Sequence, residues 1–301
     1  MAKIGFIGLG HMGSPMAKNL LQQHHQVTVF DLAPQAVADL VAAGAQAAKS
    51  LPELAQQAEI IITMLPTGEH VQKVCGGPDG LFAHVAPGTL FIDSSSIAVD
   101  SAQDLNQQAT KAGLRMVDAP VSGGVAAATA GTLTFMVGGS EENFAHAQPI
   151  LEAMGKAVIH AGPAGTGQAA KICNNMILGI SMIAVSEAFT LGKKLGLDPQ
   201  KLFDISSKAS GQCWSMTSYC PVPGILPNVP ANRDYAAGFT SAMMLKDLRL
   251  SQAAAQKVNA ATPLGAEATA LFTLFGNLGH SQLDFSAIIK LIEGMHQNNS
   301  S

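Results

Sequence analysis

The chain has 301 residues, enough for two domains of ordinary size; 48% are apolar and only 13% charged, so either the interior is well filled or a large surface is hidden in an oligomer. A formal net charge of −4 argues against nucleic acid or an anionic membrane as partner. The four cysteines, Cys75, Cys173, Cys213 and Cys220, form no CxxC pair and no metal-ligand spacing, which reads as reduced cytosolic thiols.

Lys3 to Ile7 is a short apolar run leading into Gly8-Leu9-Gly10-His11-Met12-Gly13, a G-x-G-x-x-G element. Helical spacing follows from Met12 to about Leu21, and a second apolar run, Val27 to Phe30, ends at Asp31. The order is strand, tight glycine turn, helix, strand, acid. In a dinucleotide-binding unit the first glycine makes the turn, the second lets the backbone approach a pyrophosphate, and the third packs the helix against the strand. The pyrophosphate sits at the helix N-terminus, where free N–H groups and the helix dipole favour an anion. An acid about 20 residues on accepts hydrogen bonds from the adenosine ribose and repels a 2′-phosphate, so Asp31 favours NAD over NADP. The fingerprint alone does not separate NAD from FAD. Because a strand already begins at residue 3, no signal or transit peptide is expected, and the location is read as cytoplasmic.

Further strands are expected at Glu59–Met64, Leu90–Asp93, Arg115–Asp118, Leu133–Val137 and Ala157–His160, with helices such as Ala98–Lys111 and Glu142–Met154 between them. This alternation predicts a doubly wound, mostly parallel sheet. Gly162 to Gly167 is a glycine-rich break, giving domains 1–164 and 165–301. A long helix is expected from Gln168 to Leu195, closed by Lys193, Lys194 and Gly196. Its most hydrophobic stretch, Met176 to Val185, is too short to span a bilayer and reads as a buried helix. The rest looks helical: Pro199–Ser207, Thr240–Lys257, Gly265–Phe275 and Ser286–Met295. Tyr219 to Asn232 carries four prolines and must be irregular. The tail after His296 is polar and expected to fray.

Three further segments carry chemistry. Asp118-Ala119-Pro120-Val121-Ser122-Gly123-Gly124 follows a strand, and ligands of open α/β sheets bind beyond such carboxyl ends. Ser122 offers a hydroxyl, and Gly123 and Gly124 offer main-chain N–H groups to a carboxylate; an ordinary glycine-rich loop has the same pattern. Lys171 and Asn175 are four apart on an apolar helix and share one face. Lys171 either snorkels to solvent or is a desolvated amine, its pKa lowered from about 10.4 towards neutrality so that it serves as general acid/base. Lys246 and Asp247 interrupt another apolar helix, and by themselves read best as a local ion pair. The nine histidines are scattered, and neither a G-x-S-x-G elbow nor zinc spacing is present, which disfavours a serine hydrolase and a zinc-dependent alcohol dehydrogenase.

Taken together, GFIGLGHMG at 5–13, DAPVSGG at 118–124, GTGQAAKICNN at 165–175 and LKDL at 245–248 resemble the β-hydroxyacid dehydrogenases, in order and spacing, over nearly the whole chain. Cys213 to Asp234, with Trp214, Tyr219 and the prolines, is most similar to the 3-hydroxyisobutyrate dehydrogenase branch. The resemblance implies a Rossmann domain joined by a long helix to an all-helical domain, and a homodimer or homotetramer. It implies cofactor contacts at Gly8, Gly10, His11, Met12, Gly13, Asp31, Leu65, Pro66 and Ser96, with Phe239, Lys246 and Asp247 from the second domain, which revises the plain ion-pair reading. Ser122, Gly123 and Gly124 would bind the substrate carboxylate, Lys171 would be the acid/base and Asn175 its partner. Trp214 and Tyr219 would wall the substrate's methyl group, though core aromatics need no such role.

The activity expected is metal-free, NAD-dependent oxidation of 3-hydroxyisobutyrate to methylmalonate semialdehyde, as in valine catabolism. A tartronate or succinate semialdehyde reductase on the same scaffold is the first alternative; Asp31 counts against it, because NADP-preferring members usually place a basic or small polar residue there. A non-catalytic NAD-binding protein is the second, opposed by Lys171 and Asn175 on one helix face. A decarboxylating enzyme like 6-phosphogluconate dehydrogenase is disfavoured by the small helical domain.

Overall fold

In the computed structural model, which describes residues 1–77 and 80–294, the chain divides into two compact units at Lys171/Ile172. The first is built on one nine-stranded sheet. Its strands are β1 (Lys3–Ile7), β2 (Gln26–Phe30), β3 (Gln46–Ala47), β4 (Ile60–Thr63), β5 (Leu90–Asp93), β6 (Arg115–Asp118), β7 (Val121–Ser122), β8 (Leu133–Gly138) and β9 (Gly155–Gly162). β1 to β6 are parallel in the order β3-β2-β1-β4-β5-β6, the strand order of a dinucleotide-binding sheet.

The sheet is doubly wound because neighbouring residues of its strands point into different cores. Ile62, Leu90, Ile92 and Val117 join Met16, Leu20 and Leu151 on one face. Ile61, Phe91 and Met116 join Leu54, Val71 and Leu105 on the other. Period-two side chains buried on both sides give the near-continuous apolar runs seen in the sequence.

The sheet is not wholly parallel. β8 runs antiparallel to β6 and β7 in a single register, Asp118↔Gly138 and then Val121↔Phe135, and β9 lies parallel to β8. The short β7 was not foreseen. It forms because Val121 and Ser122 continue the line of β6 past Pro120, whose carbonyl still accepts from the Met136 N–H at 3.0 Å.

The helix Thr166–Lys194 has 29 residues. It is long and apolar enough to cross a membrane by length and composition, which the short Met176–Val185 reading understated; a core helix passes the same test. Five polar side chains along it, Gln168, Lys171, Asn175, Ser186 and Thr190, are buried. It ends as expected. Gly196 takes φ +81°, and the Leu197 N–H returns to the Gly192 carbonyl at 2.9 Å.

The second unit, from Ile172 on, is helical. Ser241–Lys257 and Pro263–Phe275 pack Met244, Leu248, Ala268 and Phe272 against Met182, Phe285 and Ile288. After Phe275 the helix widens into one π-turn, Gly276–His280, closed by Gly279 at φ +90°. The expected last helix begins differently, as a 3-10 turn Phe285–Ala287 followed by Ile288–Ile292. Its expected last residue, Met295, and the tail after His296 lie outside the described residues. Tyr219–Asn232 is irregular as expected, and Asn232 ties it by accepting from the Gly224 N–H and donating to the Leu226 carbonyl, both at 2.7 Å.

Candidate active site

Each fingerprint glycine has a separate steric reason. Gly8 sits at φ +94°, and a Cβ there would lie 2.3 Å from the Met64 carbonyl oxygen. A Cβ on Gly13 would lie 1.9 Å from the Gly8 carbonyl oxygen, so helix and turn meet backbone to backbone. Gly10 is exposed and its missing Cβ would meet nothing within 4 Å, so no packing within the chain demands glycine there and the backbone is open to close approach. The helix Gly13–Gln22 has no side-chain N-cap and no acid in its first turn, leaving its N-terminus suited to an anion. His11 is exposed beside it and Met12 half-buried. Asp31, at the end of β2, accepts from the Leu9 N–H at 2.6 Å and the Ala33 N–H at 2.7 Å. A carboxylate has about four acceptor sites, so capacity remains for ribose hydroxyls. These features fit a dinucleotide.

Farther along the carboxyl edge, the loops after β4 and β5 are tied together. The Leu65 N–H donates to Ser95 Oγ at 2.9 Å. Pro66 is exposed and Ser96 half-buried. Beneath them Asp93 is fully buried, accepting from Thr63 Oγ1 at 2.8 Å and the Ser95 N–H at 3.1 Å. Its other oxygen is buried with no partner among the described residues. Burial pushes this carboxyl up to about 6, against the pull of those hydrogen bonds. Asp118 is raised for the same first reason.

Ser122 ends β7, and the two glycines follow it. Gly123 and Gly124 take φ +130° and +67°, and a Cβ on Gly123 would strike Ala127 at 2.5 Å, so the turn itself requires glycine. The helix Gly124–Ala130 behind it is held from the fingerprint helix. Asn19, 6% exposed, donates its Nδ2 to the Ala128 carbonyl at 2.7 Å.

Lys171 is 7% exposed, which decides against the snorkelling alternative. Asn175, one turn on and 1% exposed, donates Nδ2 to Asp247 Oδ2 and accepts from Asn174 at 2.9 Å. Asp247 in turn stands 3.4 Å from Lys246 Nζ. The local ion pair therefore exists, and its acid also orients Asn175.

The aromatic residues of the second unit form a stack. Trp214 lies on Tyr219 with centroids 5.0 Å apart, Tyr219 on Phe285 at 5.4 Å, and Phe239 meets Phe285 edge-on at 5.7 Å. Trp214 is still 49% exposed, so a large aromatic face is held open. Asp284, fully buried, accepts from the Tyr219 hydroxyl and the Gly238 and Phe239 N–H groups, each at 3.0 Å, and from the Ser286 N–H and hydroxyl at 3.0 and 2.7 Å. Burial and the Asp284 carboxylate both raise the Tyr219 hydroxyl's pKa, so it remains a donor. Sequence reasoning passed over Asp93, Asn19, Gln168 and Asp284. Asp93 carried a signal, an acid at a strand's carboxyl end; Asp284 carried none.

All four cysteines are unbridged, and among the described residues no cluster of three or more His, Cys, Asp or Glu side chains is placed to hold a metal. Residues 3–162 match the NAD-binding domain of 6-phosphogluconate dehydrogenase, and residues 165–292 match the NAD-binding family of NADP-dependent 3-hydroxyisobutyrate dehydrogenase. A 3-hydroxyisobutyrate dehydrogenase of Pseudomonas aeruginosa is 51% identical over 98% of this chain and 99% of its own length. The chain belongs to the β-hydroxyacid dehydrogenase family. Within it, a protein of the same organism named NAD-dependent L-serine dehydrogenase is 49% identical over 97% of this chain and 98% of its own. A structure of 3-hydroxyisobutyrate dehydrogenase from Mycobacterium tuberculosis with L-serine superposes at TM-score 0.92, with 46% identity over 98% of this chain and 100% of that one. The protein is an NAD-dependent oxidoreductase of this family, acting on a β-hydroxy acid.

Proposed function

We propose that the protein oxidises 3-hydroxyisobutyrate to methylmalonate semialdehyde, without a metal, using Lys171 as general base. The observation that carries this is the desolvated amine of Lys171, 7% exposed, with Asn175 one helical turn away. The relative at 51% identity supports the substrate.

Ser122 and the main-chain N–H groups of Gly123 and Gly124 hold the substrate carboxylate. Lys171 Nζ, in its neutral form, takes the proton of the C3 hydroxyl, and its buried setting excludes competing water. Asn175, held by Asp247 and Asn174, positions the hydroxyl. NAD, when bound, supplies the acceptor for the hydride that leaves C3. Gly8, Gly10, His11, Met12 and Gly13 line its pyrophosphate, Asp31 takes its ribose and selects it over NADP, and Leu65, Pro66, Ser96, Phe239 and Lys246 line the rest of its site. Trp214 and Tyr219 wall the methyl group. Residues 1–164 serve as the NAD-binding domain and 165–301 as the substrate and oligomerisation domain, in a cytoplasmic homodimer or homotetramer with no nucleic-acid or membrane partner.

L-Serine is the second reading, favoured by the serine dehydrogenase relative and by the ligand of the Mycobacterium tuberculosis structure. Steady-state NADH formation with 3-hydroxyisobutyrate, L-serine, 3-hydroxypropionate and glycerate, with NAD and with NADP, decides between them. The highest kcat/KM is expected for 3-hydroxyisobutyrate with NAD; a maximum at serine overturns the substrate and leaves the chemistry. Lys171→Ala should lower kcat by about 10²- to 10⁴-fold with NAD affinity retained. Retention of most turnover would remove Lys171 from the mechanism.

A further inference from the structure

We infer that Asp118 and Gln168 are positioning residues, which fix Lys171 in register with the loops carrying Ser96 and Ser122. This rests on Lys171 being the acid/base. Asp118 ends β6 and begins the segment leading to Ser122. Its Oδ1 accepts from the Gly165 N–H at 2.7 Å and its Oδ2 from the Gln168 N–H at 2.9 Å, so the first turn of the Lys171 helix is held by an acid 47 to 50 residues away. Gln168 is fully buried and uses both ends of its amide. Nε2 donates to the Ser95 carbonyl at 2.7 Å, and Oε1 accepts from the Ile97 N–H at 3.1 Å. These two main-chain groups flank Ser96 on either side.

No side chain separates the clamp from the sheet. A Cβ on Gly167 would lie 2.4 Å from the Met136 carbonyl oxygen and 2.7 Å from that of Asp118; one on Gly138 would lie 2.5 Å from Asp118 Oδ1. The helix start is thus seated directly on the backbones of β6 and β8, and Gly165 reaches it through φ +86°. Lys171 follows Gln168 by three residues. Helical side chains lean towards the N-terminus, so the lysine stem lies back over the turn that is clamped. A hydroxyl at the N-cap would satisfy the same first-turn N–H groups from within the helix. Two buried side chains that instead grip two separate loops set position as well as ending.

The test is a double-mutant cycle in the intact enzyme. Gln168→Leu and Asp118→Asn should each lower kcat about 10- to 100-fold, the cost of displacing an aligned group by about an ångström, with the Kd for NAD within about twofold. The rising limb of the kcat pH profile should move with them, which loss of stability alone would not do. In the Lys171→Ala background, assayed at high enzyme concentration, Gln168→Leu should cost nothing further, because the group it positions is gone. Gln168→Glu keeps the acceptor for Ile97 and loses the donor to Ser95, and should fall between wild type and Gln168→Leu; it serves if Gln168→Leu does not fold. Unchanged kcat in Gln168→Glu or Gln168→Leu, or an equal loss with and without Lys171, overturns the inference. Retained turnover in Lys171→Ala instead overturns the acid/base reading itself.

Discussion

Asp118 in the sheet unit and Asp284 in the helical unit are both buried carboxylates whose oxygens are taken up by main-chain N–H groups, yet they hold different things. Asp118 grips the first turn of one long helix and leaves the strands to the hydrophobic cores above and below the sheet. Asp284 gathers an irregular region. Tyr219, Gly238, Phe239 and Ser286 all converge on it, and a Cβ on Gly238 would stand 2.9 Å from the Tyr219 hydroxyl. Where a ladder of strand hydrogen bonds exists, a buried acid is free to set the position of one functional group. Where prolines have removed that order, the acid becomes the order.

Replacing Asp284 breaks the comparison most sharply. Asp284→Ala strands several buried donors at once, each costing about 1–3 kcal/mol, so a loss of at least about 3 kcal/mol in denaturant unfolding is expected. Asp118→Asn should lose less stability and more turnover; the opposite ranking would reverse the roles assigned to the two acids.

Asp93 sharpens it through pH. Its folded-state pKa, about 6, lies above the ordinary 3.8. The folded protein therefore binds the extra proton between those values, and stability falls as pH rises through that window. The shift amounts to about 3 kcal/mol lost by pH 7. Urea midpoints measured from pH 4 to 7 should decline for the wild type and decline less steeply in Asp93→Asn, where the raised Asp118 carboxyl still contributes a slope of the same sign. A slope that survives the substitution undiminished belongs to another group.

Asp31 is the half-buried counterpart of these acids, and its effect should be the smallest and the most specific. Asp31→Asn removes repulsion of a 2′-phosphate, so the ratio of kcat/KM for NAD over NADP should drop about tenfold, with little change in stability. An unchanged ratio would mean that other groups select the cofactor.

Much of this was legible in the chain. The fingerprint turn, β1, β2, β4, β5 and β6, the long helix with its Gly196 ending and the irregular proline segment follow from rules that act over a few residues, whereas the two-residue β3 carried no such signal. The antiparallel β8, the short β7 and the π-turn after Phe275 did not follow from them, since strand direction and a widened helix are settled by partners elsewhere. At the site, Lys171 and Asn175 stood out as polar residues on an apolar face. Asp284 looked like any acid before a short helix, and only its five converging donors distinguish it.

By itself the sequence determined the doubly wound class, the dinucleotide turn and the family, because glycine geometry, strand alternation and motif spacing are local properties. The tertiary structure decided that Lys171 is desolvated, that Asn19 ties the fingerprint helix to the helix Gly124–Ala130, and which acids are buried. Those outcomes depend on partners 109 residues apart for Asn19, 73 for Gln168 with Ser95 and 65 for Tyr219 with Asp284, and burial is a property of the packed core that no single segment contains.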